Sequence, residues 1–240
     1  MADKDTLRER QRRRERPEKA PLTRQGILDA ALTILREEGL NKVTMRRIAT
    51  ALDTGPASIY VYFRDTEDLH VQILDALLGH VGTSAITGGT WQEQIKALLT
   101  RYRDVLFEYP EIARMALSTR LSGPNFLTLV DAALALLQEG GLPDREAAWG
   151  IDQLLLFATA VAAEQSTRQA MPGAAEEESA LAFEVAAADA GQYPQIARLG
   201  DELFSGTGPD RFAWGLDVLL SGMRSTHRQI ENPDPPTTIP

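Results

Sequence analysis

The chain has 240 residues, 43% of them apolar and 25% charged, with a formal net charge of −9 and no cysteine. That length suits one sizeable core or two domains. The missing cysteines exclude disulfides and thiolate chemistry and fit a reducing cytoplasm. No run of about 18 apolar residues is present to span a membrane, and the charged N-terminus lacks the apolar stretch of a secretory signal; a cytoplasmic chain is expected.

Residues 1–21 read as a disordered arm. Arg10, Arg12, Arg13, Arg14, Arg16 and Lys19 alternate with Glu9, Glu15 and Glu18, and too few apolar residues are present to pack. Such a segment suits a minor-groove or phosphate contact, or a solvated tail. A first helix is expected over residues 23–38, with Ile27, Leu28, Ala31, Leu32, Ile34 and Leu35 on its apolar stripe and Gly39 as its stop.

Val43 to Phe63 predicts two short helices joined by a tight turn. Thr44 is the N-cap candidate of the first, with Ile48, Ala49 and Leu52 on its inner face. Asp53-Thr54-Gly55-Pro56 supplies the break: Gly55 is expected to provide a positive φ, and Pro56 to open the second helix. That helix carries Ser58, Tyr60 and Tyr62 as hydroxyl groups and Ile59 toward the core. A helix-turn-helix sets its second helix in the major groove, N-terminal residues nearest the base edges. Asp65 and Asp68 then favour the start of a fourth helix, which continues through Leu69, Ile73, Leu74, Leu77 and Leu78.

The Gly, Ser and Thr stretch from Gly82 to Thr90 marks a boundary between domains at 22–81 and 82–231. Beyond it the pattern is helical throughout: about 91–108, 110–118, 124–139, 145–168, 177–190 and 209–230, broken at Pro and Gly clusters. Residues 232–240, rich in proline, read as a disordered tail. The fold class expected is all-α. Charge divides along the same line. Residues 1–64 hold 14 Lys and Arg against 9 Asp and Glu, a formal +5; the remainder holds 11 against 25, a formal −14. A local basic surface is what phosphate neutralisation needs, and the acidic remainder is repelled by DNA.

Residues 22–80 resemble the N-terminal domain of the TetR (tetracycline repressor) family of bacterial transcriptional regulators. The matching pieces are Thr23 to Ala31, Gly39-Leu40, Val43 to Ala49, and Ser58 to Leu69. More loosely, Tyr193-Pro194-Gln195-Ile196, Asp201 to Phe204 and Arg211 to Met223 resemble the C-terminal domain of the tetracycline repressor branch. The resemblance implies a three-helix DNA-binding domain joined by a fourth helix to a helical ligand-binding and dimerisation domain. It makes Arg46 a candidate base contact, since arginine grips guanine O6 and N7 together; a phosphate contact or a solvated side chain is the alternative. Pro56, Ala57 and Ser58 lead the recognition helix and suit a thymine methyl better than a hydrogen-bonding edge. Thr44, Tyr60, Tyr62 and Arg64 are the implied phosphate ligands, with packing of the two tyrosines as the alternative. The family most often has lysine where this chain has Thr66, so one phosphate contact is in doubt.

Helices 145–168 and 209–230 carry wide apolar faces, including Trp149, Leu156, Phe157, Phe212, Trp214 and Leu219. The resemblance implies that two copies pair them in a four-helix interface, and a palindromic operator read at half-sites about 34 Å apart calls for a homodimer. The remaining helices are expected to enclose a pocket for a hydrophobic small-molecule effector, with His80, Trp91, Tyr102, Phe107 and Phe126 as candidate lining. No His, Asp and Glu set has metal-ligand spacing, so no metal–drug chelate and no cofactor is expected. With no nucleophile elbow and no zinc-protease motif, an enzyme is excluded. The expected function is a ligand-released repressor bound to double-stranded operator DNA. A DNA-binding regulator or architectural protein controlled by a partner protein is the alternative.

Overall fold

The computed structural model describes residues 21–83, 86 and 88–226. The expected arm before Pro21, the tail at 232–240 and His227 lie outside the described residues. All regular structure among the described residues is helical. They form eleven α-helices: α1 (Arg24–Glu38), α2 (Met45–Ala51), α3 (Pro56–Ile59), α4 (Thr66–Leu78), α5 (Trp91–Phe107), α6 (Pro110–Ala116), α7 (Pro124–Glu139), α8 (Asp144–Ala170), α9 (Ala174–Ala186), α10 (Pro194–Leu203) and α11 (Gly208–Ser225). Short 3₁₀ turns follow α1 and α4. The chain divides into two compact units, Met1–Leu69 and His70–Pro240, and α4 runs across the division.

In the first unit, local chemistry sets the helix starts. The Thr23 hydroxyl accepts the Gly26 N–H and the Thr44 hydroxyl accepts the Arg47 N–H, each satisfying one orphan donor of a first turn. Ile27, Ala31, Ile34, Val43, Ile48, Ile59 and Phe63 form the core. Across the surface, Arg47 pairs with Glu38 and so ties α2 to the end of α1. Asp65 accepts the Asp68 N–H at 2.8 Å while Asp68 accepts the Arg64 N–H at 3.0 Å, and this reciprocal pair opens α4.

The turn between α2 and α3 differs from expectation. Its left-handed residue is Asp53, at φ 49, whereas Gly55 is extended at φ −81 and ψ 146. The reason is Pro56. A residue before proline is driven from the helical region toward extended backbone, so the reversal must fall earlier, on an aspartate that tolerates this region. The recognition helix is also shorter than expected, a single turn over 56–59 that relaxes into a turn through Tyr62.

In the second unit, α8 is the central element, with 27 residues and a length of about 40 Å at 1.5 Å per residue. It packs against α5, α6, α7 and α11. Leu98, Leu99, Tyr102, Leu106, Leu129, Leu137, Leu154 and Leu216 fill the core. The capping boxes Thr90–Glu93 and Thr207–Asp210 start α5 and α11. The pair α9 and α10 pack on each other and bury no residue fully. Helix α10 is not among the helices expected from the sequence, although Pro194 at its N1 position is a legible start signal.

Tyr102 is the largest fully buried side chain, its hydroxyl 2.7 Å from the Thr159 Oγ1. Burial pushes its phenol up to about 12 despite that hydrogen bond. The folded state therefore keeps a proton that the unfolded chain loses near pH 10. The stability it contributes is complete below pH 10 and lost as pH rises toward 12. Unfolding free energy is expected to fall by about 3 kcal/mol over that window, and Tyr102→Phe to flatten the fall, as followed by urea titration at each pH.

Candidate DNA-reading and effector sites

In the first unit, α2 packs against α3 and presents the candidate DNA-contacting groups. Pro56, Ala57 and Tyr60 are exposed and Ser58 is half-buried. The Thr44 oxygen accepts from Arg47, which leaves its proton to donate to a phosphate. Adjacent arginines on α2 diverge. Arg47 is held by Glu38, whereas Arg46 is exposed and forms no ion pair among the described residues. Arg64 is exposed and bonded to Asp65 at 3.0 Å.

Tyr62 stands apart from this set. Its hydroxyl is 2.5 Å from the Leu22 carbonyl, which only accepts, so Tyr62 donates its one proton there. A phosphate would have to displace that bond. From the other side, Arg24 Nη1 donates to the Tyr62 carbonyl at 3.0 Å, and the guanidinium lies 4.7 Å over the Phe63 ring. These contacts link residues 38 to 40 positions apart, and no local pattern announces them.

The five candidate effector-lining residues spread over the second unit. His80 is exposed, with Nδ1 3.0 Å from the Leu77 carbonyl. Tyr102 is enclosed in the core, while Trp91, Phe107 and Phe126 are half-buried. Trp91 lies against Gly140, where an added Cβ would approach its ring to 2.5 Å. A cavity of about 180 Å³ opens between α5 and α7, walled by Gln94, Leu98, Ala132, Leu136 and Glu139 among others. A larger cleft of about 900 Å³ is walled instead by α8, α9 and the segment leading into α11, with Phe157, Arg168, Leu181, Phe204 and Phe212 on its surface. Phe157 and Phe212 stack there at 5.4 Å, and Arg103 lies 4.5 Å over Phe212.

Asp75 escaped the sequence reading. It sits on α4 with 5% exposure, accepting the Phe126 N–H at 2.8 Å and the Asn125 amide at 3.2 Å. It thereby caps α7, whose own N-cap, Gly123, has no side chain to do so. Gly123 adopts φ +126 and lets the carboxylate approach so closely that an added Cβ would lie 2.3 Å from Asp75 Cγ. The legible signal was a carboxylate inside the apolar run Ile73, Leu74, Leu77 and Leu78. Asp75→Ala leaves a buried N–H unsatisfied and is expected to cost about 1–3 kcal/mol, read as a lowered urea midpoint at unchanged slope.

Comparison with known proteins decides the family. Residues 27–73 match the model described as bacterial regulatory proteins, tetR family, and residues 85–227 match the tetracyclin repressor-like C-terminal domain. The chain belongs to the TetR family of transcriptional regulators. An HTH-type transcriptional regulator of Saccharopolyspora erythraea is 31% identical over 88% of this chain and 90% of its own length. Among solved structures, the Streptomyces transcription regulator SCO7704 is 45% identical, with a TM-score of 0.73 over 90% of this chain and all of the other. The TetR-family protein ActR of Streptomyces coelicolor, solved in complex with actinorhodin, is 33% identical with a TM-score of 0.78, covering 86% and 97% of the two chains. As a TetR-family regulator the chain is a DNA-binding protein rather than an enzyme, and its all-α architecture agrees. Among the described residues no helix is long and apolar enough to cross a membrane.

Proposed function

We propose that this TetR-family regulator is a homodimeric repressor that binds a palindromic operator and is released by a hydrophobic small molecule. The observation that carries this reading is the similarity to ActR, extending over both units of the chain and to a protein solved with actinorhodin bound. Thr44, Arg46, Pro56, Ala57, Ser58, Tyr60, Tyr62 and Arg64 are the operator contacts in this reading. Arg46 reads a base and the hydroxyl groups hold phosphates, with Tyr62 exchanging its bond to Leu22 for one. His80, Trp91, Tyr102, Phe107 and Phe126 belong to the effector region.

The 180 Å³ cavity between α5 and α7 supports a release mechanism. It is smaller than the roughly 300–1,000 Å³ of ordinary ligand sites, so an effector of that size that enters here, rather than the 900 Å³ cleft walled by α8 and α9, needs these helices to part. An effector that fits only the parted state shifts the population toward it, and such differential affinity is the sole source of release. Helix α4 is continuous into the DNA-reading unit and is held to the start of α7 by Asp75, which offers a route for the change.

The test begins by selecting bound duplexes from a random pool and then titrating the winner with hydrophobic aromatic compounds, actinorhodin among them. A two-half-site palindrome released by a compound that binds the protein is expected. Binding of a compound without change in operator affinity overturns effector control. An enriched operator that responds only to a protein added in trans favours control by a partner.

A further inference from the structure

Helix α4 belongs to none of the closely packed helix pairs of the second unit, which are α5 with α6, α7, α8 and α11, α8 with α6, α7 and α11, and α9 with α10. Its apolar residues Ile73, Leu74, Leu77 and Leu78 are buried, but apolar contact is non-directional. Two polar fasteners supply direction. Asp75 accepts the Phe126 N–H at 2.8 Å and the Asn125 amide at 3.2 Å, which ties α4 to α7. Just past α4, the turn Gly79–Val81 packs on α5, and Arg101 of α5 donates to the Gly82 carbonyl at 3.0 Å. Asp75 and Gly82 lie about two helical turns apart in the chain, so one short stretch is fastened to both α5 and α7.

The cavity of about 180 Å³ lies between those same two helices. Gln94 and Leu98 wall it from α5, Ala132 and Leu136 from α7, and Thr83 and Ile86, which follow Gly82, complete the wall. The strap therefore spans the gap that an entering group widens. Side chains packed at the density of an organic crystal do not absorb such a group in place. As α5 and α7 separate, their two fasteners separate with them. A hydrogen bond is lost once donor and acceptor stand about 3.6 Å apart, so the strap either tilts with the helices or lets go. Tilting carries α4 along, because its own backbone bonds make it one element.

We infer that residues 75–82 are a strap that converts the parting of α5 and α7 into movement of α4, with Asp75 and Arg101 as its coupling residues. This rests on the proposal that the chain binds an operator and is released from it. The test reads affinity for the duplex recovered by selection, and a built-in wedge replaces the effector: Leu98→Trp with Ala132→Trp sets two indoles into the cavity from opposite sides. In the full chain the wedge is expected to weaken operator binding by about 5–150-fold, the ordinary range of coupling between sites. Asp75→Ala or Arg101→Ala alone should leave operator affinity nearly unchanged. Each should nevertheless shrink the effect of the wedge by about 2–30-fold, the range by which residues along a coupling route alter it. Asp75→Asn, which still accepts the Phe126 N–H, should restore that effect. Combining Asp75→Ala with Arg101→Ala should add little to either alone, since a strap cut at one end carries nothing. A wedge that acts equally whether or not the strap is cut overturns the inference, as does a folded wedge variant that binds the duplex like wild type. Should the wedge prevent folding, amide hydrogen exchange decides. Bound duplex should slow exchange at Phe126 in wild type, and Arg101→Ala, which leaves the bond from Phe126 to Asp75 in place, should abolish the slowing; no slowing in wild type, or slowing that survives Arg101→Ala, overturns the inference. If wild type binds its selected duplex and the wedge is inert, the strap falls and the operator reading stands; if wild type selects no duplex, both fall.

Discussion

In the proposed homodimer, Trp214→Asp is expected to leave the protein monomeric and to weaken operator binding by about 10²–10⁴-fold, the range gained by linking two binding modules. Trp214 is 70% exposed on α11, although it stands two residues from the fully packed Phe212. Val218, one turn later, is 49% exposed and lines a cleft of about 440 Å³ together with Trp149, Gly150, Leu219 and Met223. Along α8, Trp149 and Leu156 are 54% and 52% exposed. Large aromatic side chains each bury about 150–250 Å² when covered, and exposed apolar side chains at this density on α8 and α11 are what the proposed interface would cover. An aspartate there would be desolvated without a partner. Sedimentation of the variant and its operator titration check both parts. A variant that remains dimeric places the interface elsewhere; a monomer with full operator affinity removes the need for two half-sites.

Arg46→Ala is expected to weaken operator binding by about 5–150-fold, equivalent to about 1–3 kcal/mol for a bidentate base contact, and to relax selectivity at one base pair per half-site. Its neighbour supplies the contrast, because Arg47 is committed to Glu38 and Arg46 has no such pair among the described residues. Repeating the random-pool selection with the variant reads the effect at each position. Uniform weakening with a salt slope reduced by about 1 would instead make Arg46 a phosphate contact.

Much of the local structure was legible in the chain. Thr44 capped the helix it was expected to cap, Asp65 opened α4, and α7 occupies 124–139 as read from Gly123-Pro124 and the glycines at 140 and 141. These features are short-range. A cap is satisfied within three residues, and a helical period repeats within two turns. The same reading misassigned the positive φ to Gly55 because it weighed glycine's freedom and not the constraint that Pro56 places on the residue before it.

The sequence by itself determined the helical class, the helix-turn-helix and the order of breaks, since these follow from periodicity, capping and backbone stereochemistry. Only the tertiary structure decided which apolar residues are core and which are surface: Phe212 and Trp214 belong to one apolar run, yet only Phe212 finds Phe157 and Arg103 to pack against. It also decided that Tyr62 spends its proton on Leu22 and that Asp75 caps a helix 50 residues away. The physical reason is the same in each case. Burial and hydrogen-bond satisfaction depend on which distant groups arrive, and residue type constrains that arrival without specifying it.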